Sequence, residues 1–260
     1  MVRQKGITPR DLAGCAEGIF VLDTFTRTDH GGLMRKPLRI AIFGLCLAFG
    51  VTGCAGLNGA RPLAPGQHEL GVTFGGGMVM FAGAPIPLPN LIVEGRSGVA
   101  KLADRPLDLN YGLNLTALPF GILQMHLGAS WLLAHPKGAV PAVSMSQRLW
   151  FATNAPASGY KYEGAVGAWG AHQIEFTASW MLGNHLLYVA LAQYTAFTNP
   201  QLTLTPALGA TFDPGAPGGF KLQVETRWYS INHTQPLQPF TFVPDGMGSL
   251  GVSVAFSHTF

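Results

Sequence analysis

The chain has 260 residues, of which 48% are hydrophobic and 11% charged, with a formal net charge of +3. A soluble domain carries about a quarter charged residues, so a chain this poor in charge is ill suited to facing water on every side. Seven Lys or Arg and four Asp or Glu precede Cys54, and nine of each sign follow it; the positive excess belongs to the leader, and the rest lacks the basic footprint of a nucleic-acid binder.

Residues 1–33 carry Asp11, Glu17, Asp23 and Asp29 and do not read as a secretion signal. Translation from Met34 is expected, which makes 1–33 a non-native or disordered extension. Met34 to Arg39 is a basic run, and Ile40 to Val51 is apolar apart from glycine and Cys46. Twelve helical residues reach about 18 Å at 1.5 Å per residue, too short for a bilayer. A basic start, a short apolar core and a small-residue end make a secretory signal peptide, here 34–53. Its end, Val51-Thr52-Gly53-Cys54, resembles the lipobox of bacterial lipoproteins. The resemblance implies cleavage before Cys54 by lipoprotein-processing enzymes, acylation of its sulfur, and firm anchoring by more than one acyl chain. Ala55 follows, not the aspartate that in many enterobacterial lipoproteins signals inner-membrane retention. An ordinary signal peptide with a coincidental cysteine is the rival reading. After cleavage Cys54 is the sole cysteine, so no disulfide forms within one chain.

Residues 54–65 read as a linker and 66–260 as one domain of period two. In Leu107 to Thr116 every odd residue is apolar and every even one polar or glycine, which gives a strand one apolar and one wet wall. The pattern recurs around Leu127, Phe176, Leu204 and Val224. Runs of about 10 to 13 residues exceed the usual 5 or 6 of soluble strands and match the 9 to 11 of a bilayer-crossing strand. No stretch after Cys54 has the roughly 18 unbroken apolar residues of a membrane helix. The expected fold is all-β: a closed antiparallel transmembrane β-barrel of about ten strands (range 8–12). The strands are placed at 67–80, 89–98, 105–117, 120–134, 140–152, 173–183, 185–197, 201–213, 219–231 and 248–260. Ala82 to Pro89 reads as an extended external loop. With the amino terminus on the periplasmic side, the short turns at His135 to Gly138, Gly183-Asn184 and Asp213 to Gly215 are periplasmic. The longest connections, near 153–172 and 232–247, then face outward.

The last strand alternates through Leu250, Val252, Val254 and Phe256 and finishes on Phe260. This resembles the terminal β-signal of bacterial outer-membrane proteins and implies recognition by their assembly machinery, through Val252, Val254, Phe256 and Phe260. His258 stands where that signal prefers an apolar residue. Trp131, Phe151, Trp180, Tyr188, Phe212 and Trp228 fall towards strand ends, as interfacial girdles do and as plain strand propensity also allows.

The chemistry is sparse. No histidine spacing suits a metal, no cofactor is implied, and Gly75-Gly76-Gly77 is followed by no Lys-Ser/Thr pair of a phosphate loop. Barrel lipases and lipid A deacylases pair a histidine and a serine two apart on one strand; His126 and Ser130 lie four apart, about 13 Å at 3.3 Å per residue, which excludes direct proton transfer between them. Ten polar residues are expected to face the lumen: Glu69, Glu94, Arg96, Asp108, His126, Arg148, Glu175, Lys221, Glu225 and Arg227. Their signs are balanced, which suits a plug of paired charges, and a slender polar passage is the alternative. Membrane lipid is the expected partner. The readings that remain are a structural or surface-binding outer-membrane barrel, a narrow channel, and a lipid-modifying enzyme. A soluble lipid-tethered domain is a further rival, and it would show polar outward faces.

Overall fold

The computed structural model describes residues 59–81, 84–87, 89–154, 169–197, 200–212, 219–234 and 247–260. The lipobox residues Val51, Thr52, Gly53 and Cys54, the segments 1–33 and 34–53, and the connections 155–168, 213–218 and 235–246 lie outside the described residues.

Among the described residues eleven strands follow one another: β1 His68–Phe81, β2 Ala84–Pro87, β3 Asn90–Leu102, β4 Arg105–Asn114, β5 Ile122–Ala134, β6 Ala142–Asn154, β7 Trp169–Leu182, β8 His185–Ala196, β9 Thr203–Phe212, β10 Phe220–Thr234 and β11 Met247–Thr259. Each long strand is antiparallel to its neighbours in sequence order, and β11 pairs back onto β1 from Glu69↔Thr259 to Gly77↔Gly251. The sheet is therefore a closed barrel of ten long strands, as the periodicity predicts. Backbone bonds Phe260 N to His68 O (2.9 Å) and His68 N to Phe260 O (3.0 Å) complete the seam. Closure leaves no long unpaired edge.

Alternation decides the faces, and they are inverted relative to a soluble barrel. Outward side chains are apolar and exposed: Leu70, Val72 and Phe74 on β1, Met125 and Leu127 on β5, Phe176 on β7, Val189 and Leu191 on β8. Inward side chains are polar and buried: Thr73, Asn110, Ser130, Ser144, Thr177 and Ser253, together with the ionisable residues described below. The polar outward faces that a soluble lipid-tethered domain requires are absent from the described strands.

The two ends of the barrel differ. At one end Leu102 pairs with Arg105 across Ala103 and Asp104, and Leu182 pairs with His185 across Gly183 and Asn184. Ala103 and Asp104 both take positive φ (52° and 61°), the requirement of a two-residue turn that follows the sheet's right-handed twist. Lys137 and Val140 exchange two backbone bonds around Gly138 at the same end. The other end carries the connections 155–168 and 235–246. These are named below the short-turn end and the loop end.

Strand limits depart from expectation at several places. β7 begins at Trp169, not 173, and β3 continues to Leu102, not 98, because an irregularity between Gly98 and Ala100 lets pairing resume. β4 stops at Asn114, whose Oδ1 accepts a bond from Thr116 N (3.0 Å), an Asx turn that diverts the chain. A 3-10 turn at Leu118–Phe120 follows, ended by Gly121 in the left-handed region (φ 71°). The stretch expected as an extended loop contains β2, which pairs with Met78–Phe81 of β1 and lies outside the ring. Pro85 and Pro87 suit such an edge, where no ladder donor is needed.

Candidate functional site: the barrel interior

The ten expected lumen residues sit on inward positions, and the fold brings them into contacts between strands that no single strand could make. Nearest the short-turn end, Arg96 on β3 bonds Asp108 on β4 (2.5 Å) and pairs with Glu69 on β1 (3.5 Å). Lys221 on β10 reaches the same Glu69 (3.4 Å), which also accepts from the Thr259 hydroxyl (3.2 Å). Glu94 accepts a bond from Thr73 across the β1–β3 pair. Midway along the barrel, Arg227 on β10 reaches Glu175 on β7 (2.7 Å) and also bonds Glu225 on its own strand. Strands β8 and β9 separate β7 from β10, so the Arg227–Glu175 bond is a chord across the lumen. Arg148 on β6 is equally buried, and the charges of Glu94, Glu175, Arg96 and Arg227 all act on it.

His126 is buried, with Nε2 4.0 Å from Glu94 Oε2 and its ring 4.5 Å from that of Trp150. Ser130 Oγ accepts from Asn110 Nδ2 (3.1 Å). The histidine and the serine therefore serve different neighbours. Among the described residues no group of three or more His, Cys, Asp or Glu is placed to hold a metal ion.

Tyr188, expected in an outer girdle, faces inward and is buried. Its hydroxyl donates to Glu225 Oε2 (2.8 Å) and accepts from Gln223 Nε2 (2.6 Å). The reason lies in the parity of β8. Leu187, Val189 and Leu191 hold the outer face, while Tyr188, Ala190 and Ala192 hold the inner one, and Gly209 on β9 leaves space beneath the tyrosine ring. Trp131, Trp180 and Trp228 do lie on outer faces near strand ends, with indole nitrogens bonded to the carbonyls of Leu102, Ala139 and Met247.

Towards the loop end the lumen becomes aromatic. Ile92, Trp150 and Ala171 are buried together, with Trp169 and Tyr194 packed against them. Trp150 Nε1 donates to Gln173 Oε1 (2.9 Å), and Gln173 Nε2 donates on to Glu175 (3.3 Å). Trp150 had a sequence signal, because it shares the parity of Ser144, Ser146 and Arg148 on its own strand; Tyr188 had none, because its own strand is apolar on both faces there.

Residues 59–63, within the 54–65 expected as linker, are packed inside the short-turn mouth, while Ala64 and Pro65 are exposed. Ala60 and Leu63 are buried. Leu63 N donates to Asp108 Oδ2 (2.9 Å), Arg96 Nη2 to Arg61 O (2.7 Å) and Ser144 Oγ to Ala60 O (3.2 Å). Arg61 donates through Nε to Ser179 Oγ (3.1 Å) and has no carboxylate partner among the described residues. Desolvation lowers its pKa from the ordinary arginine value. Gly98 is essential to this approach, because a Cβ there would collide with the carbonyl of Ala64. A small cavity remains between Gly59, Glu69, Thr73, Glu94, Arg96 and Gln223, large enough for about one or two water molecules.

No family model matches the chain, and no curated protein matches it by sequence. Among solved structures it is similar to an outer membrane channel from Pseudomonas putida F1, with 10% identity and a TM-score of 0.44, over 79% of this chain and 100% of that one. It is also similar to Ail, the attachment invasion locus protein of Yersinia pestis, in complex with the heparin analogue sucrose octasulfate, with 8% identity and a TM-score of 0.25, over 75% of this chain and 99% of that one.

Proposed function

We propose that the protein is a bacterial outer-membrane β-barrel lipoprotein with a structural or surface-binding role, a largely plugged interior, and its loop end facing outward. The observation that carries this reading is the inversion of faces. Exposed apolar side chains circle the barrel and ionisable ones are buried inside it. Water would penalise such a surface, and a bilayer favours it. Closed barrels satisfy every ladder group without an edge, the condition for crossing hydrocarbon with strands. Tight turns at one end and long connections at the other support a periplasmic short-turn end.

The anchor rests on Cys54 and the short signal before it. Its attachment on the periplasmic side agrees with the place where residue 59 enters the mouth. Outward Val252, Val254, Phe256 and Phe260 on the closing strand suit recognition by the outer-membrane assembly machinery. Labelled palmitate should enter the wild-type chain and not Cys54→Ser, with both recovered in outer-membrane fractions.

Cross-lumen bonds, the aromatic layer and the inserted segment support the plug over a passage. Protein inserted into planar bilayers should give no unitary current between 0.1 and 1 M KCl, a range of roughly tenfold in ion concentration over which screening lengths fall from about 10 to 3 Å. A steady ion-selective current from the intact chain would replace the plugged reading with the narrow channel.

A further inference from the structure

The segment at the short-turn mouth is held in the way a bound peptide is held. Its backbone is recognised at three points by buried side chains of three different strands. Asp108 on β4 accepts the Leu63 N–H, Arg96 on β3 donates to the Arg61 carbonyl, and Ser144 on β6 donates to the Ala60 carbonyl. One side chain is recognised as well: the Arg61 guanidinium donates to both Oγ and the carbonyl of Ser179 on β7 (3.1 and 3.4 Å). Pro62 lies between these contacts and has no N–H to leave unsatisfied. Proline also restricts the unbound segment, so less entropy is lost when it is seated. The wall is cut to fit: Gly98 brings β3 within reach of Ala64 and bonds Gly66 N (3.0 Å) and Gln67 O (2.9 Å) on either side of the entry.

None of these contacts requires the occupant to be covalently joined to β1. We infer that the short-turn mouth is a peptide-binding site for an extended Arg-Pro-Leu segment, filled in cis by residues 60–63. A segment tethered at residue 66 has a high effective concentration, so an external peptide of the same chemistry enters only when the resident one has left. The site thereby adds ligand recognition to a barrel whose proposed role does not need it, and it stands or falls independently of the lipid anchor.

The test uses the full chain with Cys15, Cys46 and Cys54 replaced by serine and a reporter thiol at Ser146→Cys, the next buried inward position on β6 after Ser144. Leu63→Asp sets a carboxylate against Asp108 in a buried place, which expels the segment by like-charge repulsion and desolvation. Gly98→Val expels it by collision and spoils the seat itself. In protein refolded into vesicles, the reporter should react with a small thiol reagent at least about tenfold faster in both variants than in the parent, a difference of about 1.4 kcal/mol or more in opening free energy. A synthetic peptide of residues 59–66 should restore protection to Leu63→Asp. It should not protect Gly98→Val, and a peptide with Glu in place of Arg61 should not protect either. A folded Leu63→Asp chain whose reporter stays slow, or one that the peptide leaves unprotected, overturns the site. Equal protection of both variants overturns it too. Failure of every chain, the parent included, to insert into vesicles would instead count against the membrane-barrel reading.

Discussion

Glu175, Arg227 and Glu225 illustrate what a buried charge demands. Each is almost inaccessible, and Arg227 serves both carboxylates. Removing Glu175 strands part of a guanidinium where water cannot replace the lost partner. Such one-sided deletions cost about 3–5 kcal/mol, far more than an exposed pair is worth. Glu175→Ala should therefore lower the unfolding free energy in urea, measured on vesicle-refolded protein, by that amount. Lys221, whose side chain retains 24% exposure beside Glu69, is a control on the same lumen wall: Lys221→Ala should cost less than about 1 kcal/mol. Equal effects would mean that the chord from β10 to β7 carries no special weight. The inward charges were legible one by one from parity. That Arg227 would meet Glu175 was not, because the partners lie 52 residues apart and nothing local encodes which strands stand opposite.

At the scale of elements, the hairpin between β3 and β4 and the end of β4 show how turn chemistry sets strand limits. Ala103 and Asp104 both take left-handed backbone angles, which cost a residue with a Cβ about 1–2 kcal/mol. Asn-Gly is the pair that this turn prefers. The double substitution Ala103→Asn with Asp104→Gly should raise the unfolding free energy by about 1 kcal/mol, read from the urea midpoint, without moving the Leu102↔Arg105 register. A drop would show that Ala103 or Asp104 makes contacts worth more than the strain. Alternation located ten strands but misjudged their ends, because alternation carries no stop signal. The Asn114 bond to Thr116 ends β4 early, and the irregularity after Gly98 allows β3 to run on to Leu102. β8 shows a further limit. Both of its faces are apolar for half its length, and only the barrel's closure assigns Tyr188 to the interior.

For the molecule as a whole, the deciding property is which solvent the outer wall prefers. Phe176 and Leu127 are 50% and 56% exposed in the middle of their strands. In a water-soluble barrel, arginine at either place would be tolerated. In a bilayer it costs about 2–4 kcal/mol near the midplane. Phe176→Arg and Leu127→Arg should each lose that much stability in vesicles, whereas Val140→Arg, on an exposed turn at the short-turn end, should lose almost none. No loss at the two midplane sites would sink the membrane reading.

The sequence by itself determined the fold class, the number of long strands and, wherever apolar and polar residues alternate, the face on which each lies, because a strand's period of two is a local property; β8, apolar on both faces for half its length, is the exception. It also determined the terminal strand, whose alternation is written in contiguous residues. Only the tertiary structure decided what fills the barrel. Closing ten strands into a ring sets which inward side chains face one another across the lumen, and it creates an enclosed mouth that did not exist before closure. Residues 59–65 are short, proline-interrupted and without period, so they read as a linker. Residues 59–63 became part of the interior because Asp108, Arg96, Ser144 and Ser179 converge around them from four strands, and that convergence is a property of the ring alone.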